Sequence, residues 1–330
     1  MINFGIWRKA LTGMPRLSDE QWQQLDWFGR WLICIRASVL LMTFSSSALA
    51  GLLALYFGTQ DWGLWCLVTL GLCLAHATNN LINDATDYWR GIDEDQYFRN
   101  QYGVQPLTRG LLTSFQMLLL IGITGLSALA IGIELLAVRG DLVLHLLLAG
   151  CFFVLFYTWP LKKWGLGEPA VLLVWGPLMV GGCYYVVSGE WSWQVALISL
   201  PYALGPTCVL FGKHIDKRAA DADKGVRTLP VMLGDVAARK AVQLMLAAQY
   251  GVVILQVLVG AAPWPILLIL IAIKPARRMW TVYATPAPDQ KPVSFPESVW
   301  PLWFSAYAFA HTRLYAGGLM LGLLLAALIR

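Results

Sequence analysis

Nine of the nineteen carboxylates in this 330-residue chain fall in two short segments. The first holds Asp84, Asp87, Asp93, Glu94 and Asp95, and the second holds Asp216, Asp221, Asp223 and Asp235. In the first, Asn80, Asn83, Asp84 and Asp87 stand at i, i+3, i+4 and i+7, which is one stripe down a helix face. Oxygen donors in that pattern, without cysteine, suit a hard cation such as Mg²⁺, which binds through a few carboxylates and keeps positions for water or phosphate. His76 extends the stripe by a turn and reads as an interhelical hydrogen-bond partner. In the second, the stretch from Lys213 to Thr228 interleaves Asp216, Asp221 and Asp223 with Lys217, Arg218, Lys224 and Arg227. Metal ligands and phosphate binders thus lie side by side. A diphosphate bridged to carboxylates by Mg²⁺ and held at its other oxygens by Lys and Arg explains the mixture most economically. Lys162 and Lys163 add positive charge.

The elements that must position these groups follow from composition. The chain is 58% hydrophobic and 13% charged, against about a quarter charged in soluble domains. That excludes a water-soluble globular enzyme and predicts an all-α polytopic membrane protein, with sixteen tryptophans available for interfacial belts. Nine apolar stretches are long enough to cross a bilayer: 31–57, 62–82, 112–137, 142–160, 169–188, 193–213, 240–260, 262–283 and 313–329. The eighth is the weakest, because Lys274, Pro275, Arg277 and Arg278 follow its short apolar run. Residues 1–30 form a separate, Trp-rich segment in which Ser18 and Gln21 have capping-box spacing, as expected for an interfacial helix over 18–31. Residues 31–330 form the transmembrane domain.

The net charge of +5 reflects where the basic residues lie and predicts no nucleic-acid partner. Placing the N-terminus and both acidic segments in the cytoplasm, and the C-terminus outside, gathers nearly all Lys and Arg on one side. No secretory signal is expected at the start, and the six cysteines, lacking C-x-x-C spacing, read as small hydrophobes.

The segment from Asn80 to Asp93 resembles the first Asp-rich motif of the UbiA superfamily of intramembrane prenyltransferases. Its form, with Gly91 in place of a last Asp, is similar to the 1,4-dihydroxy-2-naphthoate prenyltransferase branch. Gly176 to Tyr185, Thr312 to Tyr315 and Gly225 to Val231 resemble further stretches of that branch or superfamily. The resemblance covers about residues 31–329. It implies about nine transmembrane helices around a central cavity opening near the cytoplasmic face, and a prenyl diphosphate bound through Mg²⁺ at the two Asp-rich motifs. It also implies an aromatic acceptor and a place in isoprenoid quinone biosynthesis of the menaquinone type. One departure stands out: the family's paired aspartates would fall at Asp221 and at Lys217, with Asp216 displaced by one. On a continuous helix, residues five apart point about 140° apart. Either a bulge brings Asp216 and Asp221 together, or Asp216 and Asp223, seven apart, form the pair.

The expected metal set is Asn80, Asn83, Asp84, Asp87, Asp216, Asp221 and Asp223, and the expected diphosphate set is Arg90, Lys162, Lys163, Lys217 and Arg227. Asn83, Asp87, Asp221 and Lys162 are the groups expected to act in catalysis. Tyr157, Tyr184 or Trp159 would shield an allylic cation or meet the acceptor. A terpene cyclase would ionise the same substrate and quench the cation internally. A non-enzymatic lipid carrier would need polar residues along several helices, whereas the ionisable groups here gather at one face.

Overall fold

A computed structural model of the chain describes residues 3–93 and 98–330; Glu94 and Asp95 lie outside the described residues. The chain opens with three short helices, α1 (Phe4–Thr12), α2 (Asp19–Gln23) and α3 (Trp27–Cys34). The Ser18 and Gln21 capping box forms: Gln21 N donates to Ser18 Oγ at 3.2 Å, and Ser18 N donates to Gln21 Oε1 at 3.0 Å. The single helix expected over 18–31 is instead broken at Asp26, whose carboxylate accepts from Gly29 N at 2.8 Å and from Trp7 Nε1 at 3.0 Å. The bond from Gly29 holds the Asp26 carboxyl below its ordinary range. Trp22 is buried, whereas Phe4 and Trp27 point outward.

The bundle follows as α4 (Leu40–Phe57), α5 (Trp62–Trp89), α6 (Ser114–Arg139), α7 (Asp141–Phe156), α8 (Gly167–Leu173), α9 (Gly182–Ser188) and α10 (Trp193–Asp216). Next come α11 (Arg218–Asp223), α12 (Leu229–Leu233), α13 (Asp235–Leu258), α14 (Ile273–Ala284) and α15 (Trp303–Ile329). Wide π-type turns extend α7 over Tyr157–Leu161 and join α8 to α9 over Val174–Gly181, so each pair forms one kinked rod. Pro160 and Pro177 lie inside those turns, where a missing N–H and a ring clash with residue i−4 forbid a regular helix. Among the described residues, eight helices are long and apolar enough to cross a membrane. The weak eighth stretch takes a different form: a 3₁₀ run over Trp264–Ala272 leads into α14. At about 2.0 and 1.5 Å per residue this rod reaches roughly 36 Å, longer than the ~30 Å hydrocarbon core.

Packing explains two departures from the expected spans. The last helix begins at Trp303, ten residues earlier than its apolar run, because its first turns are buried against α10 and α14 through Phe304, Tyr283 and Phe211. The 3₁₀ run lies directly on α15: a Cβ added to Gly318 would meet the Leu268 carbonyl at 2.6 Å, and one on Gly322 would overlap that of Pro265. By contrast α6 and α7 leave Leu126, Leu148 and Leu155 more than half exposed, which makes them a lipid-facing wall. Interhelical polar contacts tie the rest together: Tyr202 Oη donates to the Met42 carbonyl at 2.6 Å, Ser46 Oγ to that of Trp175 at 2.9 Å, and Tyr315 Oη to that of Gln249 at 3.0 Å. Replacing Gly318 by Leu would force α15 off the 3₁₀ run. The expected loss is about 1–3 kcal/mol or more, visible as a lowered thermal midpoint of the detergent-solubilised protein, whereas Gly251→Leu, in open space, leaves it unchanged.

Candidate active site

A cavity of about 730 Å³ runs into the bundle, within the size range of small-molecule sites rather than of packing defects. Its polar end is lined by Arg36, Asn80, Asn83, Asp87, Lys162, Lys213 and Lys217, and its deep end by residues such as Leu72, Leu135, Val143, Leu146 and Val186. One void therefore has a charged mouth and an apolar depth.

The mouth is built by α5 and the turns around it. α5 continues past its apolar stretch to Trp89, so the expected stripe is helical. Lys162, buried just after the kink in α7, donates to both oxygens of Asp87 at 2.9 Å and to Asn83 Oδ1 at 3.3 Å. Asn83 Nδ2 in turn donates to Asp87 Oδ2 at 3.2 Å. One turn back, Asn80 Nδ2 donates to the Ile35 carbonyl at 2.9 Å, and Asp84 is ion-paired with Arg36. Arg36 has φ 54° and ψ 54°, a left-handed conformation that costs a non-glycine residue roughly 1–2 kcal/mol. This strained break between α3 and α4 turns its guanidinium into the cavity wall. His76 is hydrogen bonded to Thr43 across helices at 2.8 Å.

The second segment resolves the spacing problem in a way neither alternative anticipated. α10 ends at Asp216 and α11 begins at Arg218, with Lys217 (φ −108°, ψ 14°) as the hinge between them. Asp216 therefore points away from the cavity: its two oxygens accept from Phe304 N at 2.7 Å and Ser305 N at 3.0 Å, which caps α15. Lys217 takes the position facing the cavity and donates to buried Asp221 at 2.8 Å. Asp223 and Arg227 are exposed, and Asp235 is held by Arg239 at 2.8 Å.

Of the expected residues, the structure thus brings Asn80, Asn83, Asp87, Tyr157, Lys162 and Lys217 to the cavity wall, with Asp221 behind Lys217 and Asp84 behind Arg36. Others lie elsewhere. Arg90 and Lys163 both stand over the Trp159 ring, at 3.6 and 4.3 Å from its centroid, and do not line the cavity. Tyr184 packs edge-on against Phe57 in the apolar core near the opposite ends of the helices. Arg36, Lys213 and the buried Glu168–His214 pair are residues that the sequence reading missed. The available signal was a charged residue at or near the edge of an apolar span, where such groups are costly.

Among the described residues, four cations but one carboxylate, Asp87, line the mouth, an arrangement that attracts an anion. Among the described residues no three His, Cys, Asp or Glu side chains form a ready metal cage. Two buried carboxylates and an amide oxygen still fit Mg²⁺, which typically binds through one or two carboxylates plus substrate phosphates rather than an all-protein cage.

The fold and the cavity define a polytopic membrane enzyme built to hold a molecule with an anionic head and an apolar tail. A profile of the UbiA prenyltransferase family matches residues 44–306, and the chain belongs to that family. It is 27% identical over 253 residues to a 2-carboxy-1,4-naphthoquinone phytyltransferase of Synechocystis sp., covering 73% of this chain and 78% of that relative. It is 29% identical over 232 residues to the 1,4-dihydroxy-2-naphthoate octaprenyltransferase of Escherichia coli, covering 66% and 73% respectively. A structure of a UbiA homolog from Archaeoglobus fulgidus bound to GPP and Mg²⁺ superposes with a TM-score of 0.60 at 14% identity, over 89% of this chain and 99% of that one, and so shares the fold.

If Asp216 serves as a cap and not as a ligand, Asp216→Ala destabilises the protein by about 0.5–2 kcal/mol. Thermal unfolding in detergent would register this loss, and the Mg²⁺ concentration required for half-maximal activity would stay that of the wild type.

Proposed function

We propose that this chain transfers the prenyl group of an allylic prenyl diphosphate to an aromatic acceptor of the 1,4-dihydroxy-2-naphthoate type, in isoprenoid quinone biosynthesis, with Mg²⁺ as cofactor. The observation that carries this reading is the cavity whose mouth gathers Asn83, Asp87, Lys162 and Lys217 and whose depth is apolar. The naphthoate relatives support the choice of acceptor. The mouth and the N-terminus face the cytoplasm and the C-terminus faces outside, in keeping with the basic residues gathered at that end.

The residues divide the work. Asp87, Asn83 and Asp221 would hold the metal. Mg²⁺ bound there supplies Lewis-acid stabilisation of the departing diphosphate. Lys162 and Lys217 neutralise the carboxylates of Asp87 and Asp221. When a diphosphate enters, their flexible stems let each ammonium turn to its oxygens while the carboxylates turn to the cation. Arg36, held by Asp84, presents a fixed guanidinium edge to the same anion. Separation of charge is the difficult step, and these preoriented cations act on it in a water-poor site. Tyr157, on the cavity wall beside Lys162, offers an aromatic face to the allylic carbon. The apolar depth between α5, α6 and α7 holds the tail and keeps water from it.

Asp87→Asn and Asp221→Asn should each lower Mg²⁺-dependent transfer of radiolabelled prenyl diphosphate by about 100-fold or more while the protein remains folded in the membrane. Full turnover by both variants would refute the assignment. Product analysis with prenyl diphosphate alone, and then with dihydroxynaphthoate, separates the classes: no reaction until the acceptor is added is the expected result, and a cyclic hydrocarbon or alcohol without acceptor would indicate a cyclase.

A further inference from the structure

The metal and diphosphate groups leave one buried ionisable pair at the cavity without a task. Glu168 opens α8 and His214 lies in the last turn of α10. Both are 1% exposed, and Glu168 Oε1 is 2.6 Å from His214 Nδ1. Glu168 Oε2 is also buried. His214 lines the cavity. The pair lies beside Tyr157, whose hydroxyl would be 3.8 Å from a Cβ placed on the neighbouring Gly167. A carboxylate sealed among transmembrane helices is costly to retain, and a tie between α8 and α10 alone could be made by neutral amides at lower cost.

With Glu168 as carboxylate, His214 donates through Nδ1, and Nε2 is left as a lone-pair acceptor on a ring that lines the cavity. A His base whose tautomer and orientation are fixed by a buried carboxylate is a recurring arrangement for removing a hydroxyl proton. Resting on the transferase reading above, we infer that His214 accepts the hydroxyl proton of the aromatic acceptor and that Glu168 positions it. As the O–H bond breaks, the proton goes to His214 Nε2. The electron pair released into the ring forms the bond from the ring carbon to the allylic carbon, and the C–O bond to diphosphate breaks with its electrons leaving on the diphosphate. The immediate products are the keto tautomer of the prenylated ring, diphosphate and a protonated imidazole facing Glu168. His214 is then a catalytic residue and Glu168 a positioning residue.

The test uses the full chain reconstituted in lipid nanodiscs, comparing wild type with Glu168→Gln and His214→Gln on a series of hydroxynaphthoates whose hydroxyl acidity is varied by ring substitution. Both variants should lose about 100-fold or more in kcat with KM for prenyl diphosphate unchanged, and the loss should shrink as the acceptor becomes more acidic. A loss independent of acceptor acidity, or a retained kcat, overturns the inference. Should the variants fail to fold, single-turnover transfer by wild type decides: slower reaction in D₂O with acceptor supports the pair, and equal rates in H₂O and D₂O reject it. Wild-type transfer to none of these acceptors would instead overturn the transferase reading, so the two failures are distinct.

Discussion

The buried contact between Lys162 and Asp87 is the interaction on which the site depends. Neither group can be left alone among transmembrane helices, because an unpaired charge there costs several kcal/mol. Their pairing at 2.9 Å therefore requires the kinked end of α7 and the lower part of α5 to meet at one depth. The same constraint recurs with Arg36 and Asp84 and with Lys217 and Asp221. Three buried ion pairs from six positions spread along the chain converge on the mouth of one cavity. In the proposed reaction Lys162 and Lys217 exchange their carboxylate partners for diphosphate oxygens, while Arg36 stays with Asp84. Under the proposed function, charge that would otherwise only burden the fold is held ready for a ligand that brings both anion and metal.

The irregular backbone serves the same end. A straight helix over 141–164 would carry Tyr157 and Lys162 around to other faces. The π turn at Pro160 ends the regular ladder, and Lys162 lies on the cavity wall beside Tyr157. The left-handed Arg36 and the hinge at Lys217 do likewise for the other two pairs. Strain and broken ladders cluster where the charged groups must turn inward, while the long regular helices bury aliphatic side chains elsewhere, as expected when a rigid scaffold holds a strained site.

Much of the fold was legible in the sequence because lipid demands long apolar runs, and such runs survive in composition alone. α6, lipid-facing and uniformly apolar, was placed within two residues at each end. The start of α15 was not legible, since Trp303, Ser305 and His311 look polar or interfacial until α10 and α14 cover them. The stripe from Asn80 to Asp87 was readable because α5 is continuous there and periodicity holds. The places of Asp216 and Asp223 were not legible for the converse reason: periodicity assumes one helix, and the chain hinges at Lys217. A one-residue hinge leaves no mark in a pattern of charges, yet it turns Asp216 to the cap of α15 and Lys217 to the cavity. Arg36 and Glu168 were overlooked because each is a lone charge at the edge of an apolar run, outside any cluster.

Central to the proposed reaction is that Lys162 and Lys217 exchange carboxylate partners for diphosphate oxygens when metal and substrate arrive together. Calorimetric binding of a non-hydrolysable prenyl thiodiphosphate to the reconstituted protein, with and without Mg²⁺, measures this directly. Affinity should tighten by more than about tenfold when Mg²⁺ is present, a gain of at least ~1.4 kcal/mol, and Asp87→Asn should remove most of that gain. Equal affinity in the presence and absence of Mg²⁺, with Asp87→Asn binding as the wild type does, would contradict it.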